Sequence, residues 1–177
     1  TGHTVIVRDP DTGSVNLGTY RAMLVDRNRL AFHALEGQHG TIIRNKYASQ
    51  GKVMPIAVAT GIDPTLWWYS TDRAVPWGVS EYDYAGGMKG EPIEVIKGPH
   101  TGLPLPAHAE IVVEGEWHPG EVVDEGPFGE WMGYYANLGL SSVPEPVMRV
   151  KAVYHRNDPI MTCANPGVPP SEASFRD

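Results

Sequence analysis

Short stretches in which apolar and polar residues alternate recur along this chain and predict β-strands. We expect strands at residues 4–8, 22–26, 30–35, 54–59, 93–96, 110–117, 148–155 and 160–163. Turn-forming residues separate several of them, as in Asp9-Pro10-Asp11-Thr12-Gly13. The pattern predicts a sheet-rich domain with Ile56, Val112 and Val150 in its core.

Three segments carry helical spacing or capping residues and predict short helices around the sheet. Residues 41–50 place apolar side chains at helical spacing. Asp63 can cap a helix over residues 64–69, which has proline at its first position. Ser80 can open a third helix that ends near Gly86. Many strands with few helices are typical of an α+β or mostly β, barrel-like fold.

The composition narrows the class of protein. The 177 residues suffice for one globular domain, spanning residues 1–177, and 20 Gly with 16 Pro favour a turn-rich fold. A formal net charge of −7 without a basic patch argues against nucleic acid as a partner. No apolar run approaches membrane-spanning length, so we expect no membrane partner. The single cysteine, Cys163, favours a reducing compartment, the cytoplasm.

Residues 125–135 carry two carboxylates, Glu125 and Glu130, around a Gly-Pro-Phe-Gly interruption. On a flat strand a spacing of five would place the two side chains on opposite faces. The interruption can bend the chain, so that both carboxylates face one cavity. The alternative is a solvated turn with two exposed glutamates.

Four further polar residues lie at the edges of predicted elements, where sites are usually built. Asn16, His39 and Glu81 offer an amide oxygen, an imidazole nitrogen and a carboxylate, a set that suits Mn²⁺ or Mg²⁺ better than Zn²⁺. The alternative is a turn asparagine, a loop histidine and a helix-cap glutamate. Arg21 is either part of a site or an edge-strand charge. His33, on a predicted strand, is expected to be structural or solvated.

Seven segments, in the same order along the chain, resemble the UbiD family of decarboxylases and carboxylases that depend on prenylated FMN. They are residues 16–21, 37–39, 54–64, Glu81 with 85–86, 109–115, 125–135 and 156–160. The resemblance covers essentially the whole chain. It implies a split β-barrel of the flavin-reductase FMN-binding type, with short peripheral helices.

The resemblance also implies a cofactor site. Asn16, His39 and Glu81 match the family's ligands for a divalent ion, Mn²⁺ or Mg²⁺, that lies against the flavin phosphate. A K⁺ ion is implied close by, near residues 67–77. The residues implied to contact cofactor are Thr1, Asn16, Leu17, Gly18, Thr19, Arg21, Gln38, His39 and Glu81.

Arg21, Glu125 and Glu130 match the family's catalytic network, with Glu130 at the proton-donor position. The implied reaction is the reversible, non-oxidative decarboxylation of an aromatic or α,β-unsaturated (acrylic) carboxylic acid. A flavin- and metal-binding module without turnover is the alternative, and an ordinary FMN reductase does not account for the two glutamates.

The family also implies partners and further chain. A flavin prenyltransferase would supply the cofactor, and a second copy or a partner subunit could complete the assembly. Family members carry an N-terminal segment and a C-terminal oligomerisation domain, which we expect outside residues 1–177.

Overall fold

An antiparallel β-sheet forms the centre of the protein in the computed structural model, which describes residues 2–126 and 143–163. The strands of this part are β1 (His3–Arg8), β2 (Val15–Gly18), β3 (Arg21–Asp26), β4 (Arg29–His33), β5 (Met54–Thr60), β6 (Val95–Lys97), β7 (Pro104–Pro106), β8 (Ile111–Trp117), β9 (Val122–Glu125) and β10 (Val143–His155). The helices are α1 (His39–Ser49), α2 (Pro64–Thr71) and α3 (Glu81–Lys89).

The main sheet curls because the long strand β10 pairs with different strands along its two halves. Its strand order is β2-β1-β5-β8-β10-β4-β3, and β9 pairs with the first part of β10. The register of β10 against β8 shifts between Val150 and Ala152. Such a bulge bends a strand and increases its twist. The first half of β10 therefore joins β9 and β4, and its second half joins β8.

Both faces of the central strands are buried, which explains their nearly continuous apolar character. On β1, Val5 and Val7 belong to one core cluster and Ile6 to another. The first cluster includes Ile43 of α1, and the second includes Leu66 of α2. Helices thus cover the sheet on both sides, and burial of these side chains is the main stabilising contribution.

Two helices begin where the sequence predicts. The Asp63 carboxylate accepts hydrogen bonds from two backbone N–H groups at the start of α2, at 2.8 and 3.2 Å. The Ser80 hydroxyl accepts from Tyr82 at the start of α3. Helix α3 does not end at Gly86 as predicted; it continues to Lys89, and Gly90 terminates it with φ of 75°. Gly90 adopts this left-handed conformation without the steric cost that other residues carry.

The observed elements confirm a mostly β domain with short helices, with some corrections. The predicted strand at 160–163 is wrong, because these residues form no strand. Strands β2, β7 and β9 were not predicted; none exceeds four residues. Ile56 and Val112 are buried as expected, whereas Val150, next to the bulge, is only partly buried. Within the described ranges, no helix is long and apolar enough to cross a membrane.

A fully buried carboxylate ties a loop to strand β8. The Glu114 carboxylate accepts hydrogen bonds from the Thr101 hydroxyl, from Thr101 N–H at 2.9 Å and from the Tyr154 hydroxyl at 2.9 Å. Burial alone would raise the pKa of Glu114, but these donors bring it below its usual value. Glu114 is therefore ionised inside the protein and fixes the loop before β7.

We expect Glu114→Gln to lower the free energy of unfolding by about 1–3 kcal/mol at neutral pH, because an amide cannot accept all of these hydrogen bonds. The deficit should shrink as the pH falls below 4.5, the usual pKa of the group, since the wild-type carboxylate then takes up a proton. Urea unfolding measures both. The control Glu116→Gln removes a half-buried partner of Lys151 and should cost less than about 1 kcal/mol. Equal losses in the two variants would contradict the assignment.

Candidate active site

Most residues predicted to contact cofactor line one cleft of about 620 Å³. Seven of the nine predicted residues are among its lining: Asn16, Leu17, Gly18, Thr19, Gln38, His39 and Glu81. Strand β2 and the starts of α1 and α3 supply them. Arg21 begins β3 directly after Tyr20, another lining residue. Thr1 lies outside the described residues, and its predicted role stays a prediction.

Asn16 and His39 are in direct contact. The Asn16 Oδ1 lies 3.2 Å from His39 Nδ1, and Asn16 Nδ2 donates to the Tyr20 hydroxyl at 3.1 Å. The amide nitrogen is thereby engaged by Tyr20, so the amide oxygen points to the histidine. Trp77 packs edge-on against the His39 ring, with centroids 4.9 Å apart. Burial lowers the pKa of His39, which keeps the imidazole in its neutral, metal-binding form.

Tyr20 is the residue around which this end of the cleft is built. Its hydroxyl also accepts the backbone N–H of Gly40 at 2.8 Å, and its backbone carbonyl lies 2.7 Å from His3 Nε2. A Cβ at Gly18 or Gly40 would clash with the Tyr20 ring. Glycine at both positions therefore allows the ring to lie between β2 and α1.

Glu81 brings a negative charge to the cleft that the described residues only partly compensate. It is 3% exposed, and its carboxylate accepts the backbone N–H of Leu17 at 2.7 Å. Burial raises the pKa of Glu81 to about 7, although backbone hydrogen bonds oppose the shift. A cation beside this carboxylate would favour its ionised form.

The cleft is acidic overall. Among the described residues, its charged lining consists of Glu36, Asp72, Glu81 and one cation, Arg73. A phosphate group could enter such a cleft only together with additional positive charge. The carboxylate of Glu81, the amide of Asn16 and the imidazole of His39 are hard or borderline donors of the kind that divalent cations bind.

Arg21 and Glu125 form a bidentate ion pair between β3 and β9. Arg21 Nε donates to Glu125 Oε1 at 3.0 Å, and one terminal nitrogen donates to Oε2 at 2.5 Å. The Glu125 side chain is 1% exposed and that of Arg21 is 31% exposed. The glutamate is thus fixed inside the protein while the arginine remains accessible. Glu130 lies outside the described residues, so its place in this network stays a prediction.

Three residues near the predicted ones had not been expected to belong to the site: Tyr20, His33 and Glu145. Tyr20 orients Asn16. His33, which was expected to be structural or solvated, bonds Glu145 next to Glu125. The glycines on either side of Tyr20 could have indicated its tight packing. The His33–Glu145 contact joins residues 112 positions apart, and no local pattern indicates it.

Comparisons with known proteins agree on one family. Residues 1–169 match the model of the UbiD family, described as the 3-octaprenyl-4-hydroxybenzoate carboxy-lyase Rift-related domain. Pyrrole-2-carboxylic acid decarboxylase of Pseudomonas aeruginosa is 40% identical over 94% of this chain and 33% of its own length.

Solved structures are similar over nearly the whole chain. An evolved dimeric form of the UbiD-class enzyme HmfF from Pelotomaculum thermopropionicum, in complex with prFMN, is 35% identical with a TM-score of 0.79 over 90% of this chain and 36% of its own. The closed form of vanillic acid decarboxylase from Sedimentibacter hydroxybenzoicus is 28% identical with a TM-score of 0.84, over 96% and 36% of the two chains. This chain therefore spans about a third of the length of these proteins.

A more distant likeness concerns the fold alone. The NADH:FAD oxidoreductase SgcE6 of Streptomyces globisporus is 13% identical with a TM-score of 0.52, over 88% of this chain and 76% of its own. The expected fold class, a barrel of the flavin-reductase type with peripheral helices, is confirmed.

We expect Tyr20→Phe to lower the free energy of unfolding by about 1–3 kcal/mol, because the buried Gly40 N–H and the Asn16 amide lose their acceptor. Chemical denaturation measures the loss. Tyr47→Phe is the matched control: the ring is similarly buried in the same cluster, and its hydroxyl makes no hydrogen bond within the described part of the chain. Equal stability of the two variants would contradict this role of the Tyr20 hydroxyl.

Proposed function

Because this chain belongs to the UbiD family of carboxy-lyases, we propose that it is the cofactor-binding core of a decarboxylase. The reaction is the reversible, non-oxidative decarboxylation of an aromatic or α,β-unsaturated carboxylic acid. One observation carries the proposal: an acidic cleft with Asn16, His39 and Glu81 lies next to an accessible arginine that is held by a buried glutamate. A flavin reductase needs no such pair, whereas an enzyme that binds a carboxylate does.

The residues of the cleft fit a divalent metal and a flavin phosphate. Asn16, His39 and Glu81 would hold Mn²⁺ or Mg²⁺, which supplies the positive charge that both Glu81 and a phosphate require. Leu17, Gly18, Thr19 and Gln38 would contact the cofactor, together with Thr1. The neighbour in complex with prFMN supports this choice of flavin. When bound, prenylated FMN supplies an electron sink for the carbon that loses CO₂.

The ion pair suits the handling of a carboxylate substrate. Arg21 would orient the substrate carboxylate through parallel N–H donors, and Glu125 would fix the charge and direction of the guanidinium. Glu130 would deliver a proton to the carbon left behind, as a general acid. Three groups would thus separate the tasks of binding, orientation and protonation.

Partners of this core follow from the same family. Aromatic acids are the favoured substrates, because the similar proteins are named for pyrrole-2-carboxylic acid and vanillic acid. A flavin prenyltransferase would supply the cofactor in the cytoplasm, and K⁺ would assist the divalent ion. A second copy or partner subunit would complete the assembly, in line with the neighbour described as dimeric.

A carrier of flavin and metal without turnover is the second candidate, favoured by the span of about a third of the relatives' length. Anaerobic reconstitution with prenylated FMN and Mn²⁺ separates the two. Release of CO₂ from pyrrole-2-carboxylate, vanillate or an acrylic acid supports the enzyme. An altered flavin spectrum without CO₂ release from any of these acids supports the carrier. The absence of both signals would exclude both candidate functions.

The first prediction concerns the metal ligands. Asn16→Ala, His39→Ala and Glu81→Ala should each weaken retention of flavin, because metal and phosphate neutralise each other in the cleft. Native mass spectrometry after gel filtration measures flavin and metal occupancy together. Asn28→Ala and His155→Ala, at exposed positions, serve as controls. Unchanged flavin occupancy in all three site variants would remove the metal assignment.

A second prediction separates the two acids. Glu130→Gln keeps the shape of the side chain but removes the proton that it could transfer. Turnover should therefore fall by about a hundredfold or more, while flavin and metal still bind. Exchange with solvent deuterium of the product hydrogen at the carbon that lost CO₂ should fall with it. Glu125→Gln should instead shift substrate binding and the pH profile, because Arg21 loses its counter-charge.

If the domain alone is inactive, the Glu130→Gln and Glu125→Gln variants are compared in the full-length parent protein. Decarboxylation by Glu130→Gln at the wild-type rate would refute its role, which would then pass to Glu125 or to a residue outside this chain.

A further inference from the structure

Two further ionisable residues lie beside the Arg21–Glu125 pair. His33 Nδ1 is 2.6 Å from Glu145 Oε1. One ring nitrogen of His33 and one carboxylate oxygen each of Glu125 and Glu145 all lie within 4.8 Å of one another. Glu125 and Glu145 are 1% and 8% exposed. Two neighbouring carboxylates are thus buried in one place, an arrangement that is costly without compensating positive charge.

The strand register explains how the histidine enters this group. Arg21, the first residue of β3, lies opposite His33, the last residue of β4. On its other side β4 pairs with β10, with Val147 opposite Ala31. Continuing this antiparallel register by two residues brings Glu145 opposite His33. His33 therefore stands between the arginine and the second carboxylate.

The register of β9 brings the other carboxylate to the same patch. Glu125 pairs with Val143 of β10, two residues before Glu145. Residues two apart on a strand share a face, so the two glutamates are diagonal neighbours across β9 and β10. The start of β3, the ends of β4 and β9 and the first part of β10 thus bring four polar side chains together, although their positions in the sequence are far apart.

The two carboxylates of this patch have separate partners. Arg21 compensates one of them through its bidentate contact with Glu125. The other, Glu145, lies within hydrogen-bond distance of His33 Nδ1, which can donate a hydrogen bond to it.

Helix α1 contributes one further charge. Burial lowers the pKa of Arg44, whereas the negative charges of Glu36 and Glu145 act in the opposite direction. Arg44 therefore also interacts with Glu145. Of the residues that the structure describes, the charged groups that face this patch are Arg21 from β3, Glu125 from β9 and Arg44 from α1, which Glu36 also attracts.

A metal ion does not suit this group. Both oxygens of Glu125 already accept hydrogen bonds from Arg21. A cation bound by His33, Glu125 and Glu145 would have to displace the arginine. The contacts favour the Arg21–Glu125 ion pair beside a hydrogen-bonded His33–Glu145 pair.

We propose that His33 and Glu145 are positioning residues for Arg21. His33 donates a hydrogen bond to Glu145, so that this carboxylate does not compete for Arg21 and Glu125 holds the guanidinium in the orientation that receives a carboxylate. The role in substrate binding rests on the proposed function; the His33–Glu145 pairing itself does not.

The pairing is tested by a double-mutant cycle on the unfolding of the cofactor-free protein. His33→Asn removes the imidazole that contacts Glu145, and Glu145→Gln removes the carboxylate. His33→Asn should raise the unfolding equilibrium constant by about tenfold or more, and the double variant should recover most of this loss.

The positioning role is tested in the holoenzyme with pyrrole-2-carboxylate as the substrate. His33→Asn should raise KM by about tenfold with a smaller change in kcat, because Arg21 is misoriented for binding. The double variant should return KM to within about threefold of the wild type. His118→Asn is the matched control, since that imidazole bonds Glu116 at 2.8 Å with similar exposure, and it should leave KM unchanged.

Each outcome decides one part of the proposal. Additive unfolding effects would overturn the pairing, and a coupled pair with unchanged KM would overturn the positioning role. A double variant no better than His33→Asn in KM would also overturn that role. If no acid is turned over, the proposed function fails, and the unfolding cycle still decides the pairing. If His33→Asn does not fold, His33→Gln replaces it in the same cycle.

Discussion

The cost of burying carboxylates governs this structure more than any other single constraint. Glu81, Glu114 and Glu125 are each at most 3% exposed, and a buried carboxylate is destabilising by several kcal/mol unless donors or charges compensate it. Each has a different solution. Glu114 is satisfied by hydroxyl and backbone donors, Glu125 by Arg21, and Glu81, within the described part of the chain, by backbone donors alone. Glu114 is structural, Glu125 is held rigidly beside an accessible arginine, and Glu81 is only partly compensated.

The ends of the elements bring these groups together. Arg21 begins β3, His33 ends β4 and Glu125 ends β9, while His39 and Glu81 are the first residues of α1 and α3. Residues in the middle of the strands place their side chains in the core, whereas residues at the ends of strands and helices can face a cleft. The first turns of two helices also bring partial positive charge to a cleft that is otherwise acidic.

Local chemistry explains what the sequence could predict and what it could not. The caps Asp63 and Ser80 were predictable because an N-cap depends on residues within one helical turn. The cofactor contacts predicted on β2 came from the family resemblance, although the strand itself was too short to predict. The His33–Glu145 contact depends on the register between β4 and β10, which only tertiary structure fixes. The bulge that leaves Val150 partly buried has the same origin.

The two halves of the site are coupled through six consecutive residues. Asn16, at the metal end, donates to the Tyr20 hydroxyl, and Arg21 follows Tyr20 directly in the chain. The Tyr20 ring is held by close contact with Gly18 and Gly40, so it cannot move independently of β2 or α1. A change in the position of Asn16 is therefore transmitted to Arg21 over a short and tightly packed segment. In the proposed function, metal binding and orientation of the substrate carboxylate would both depend on this local geometry.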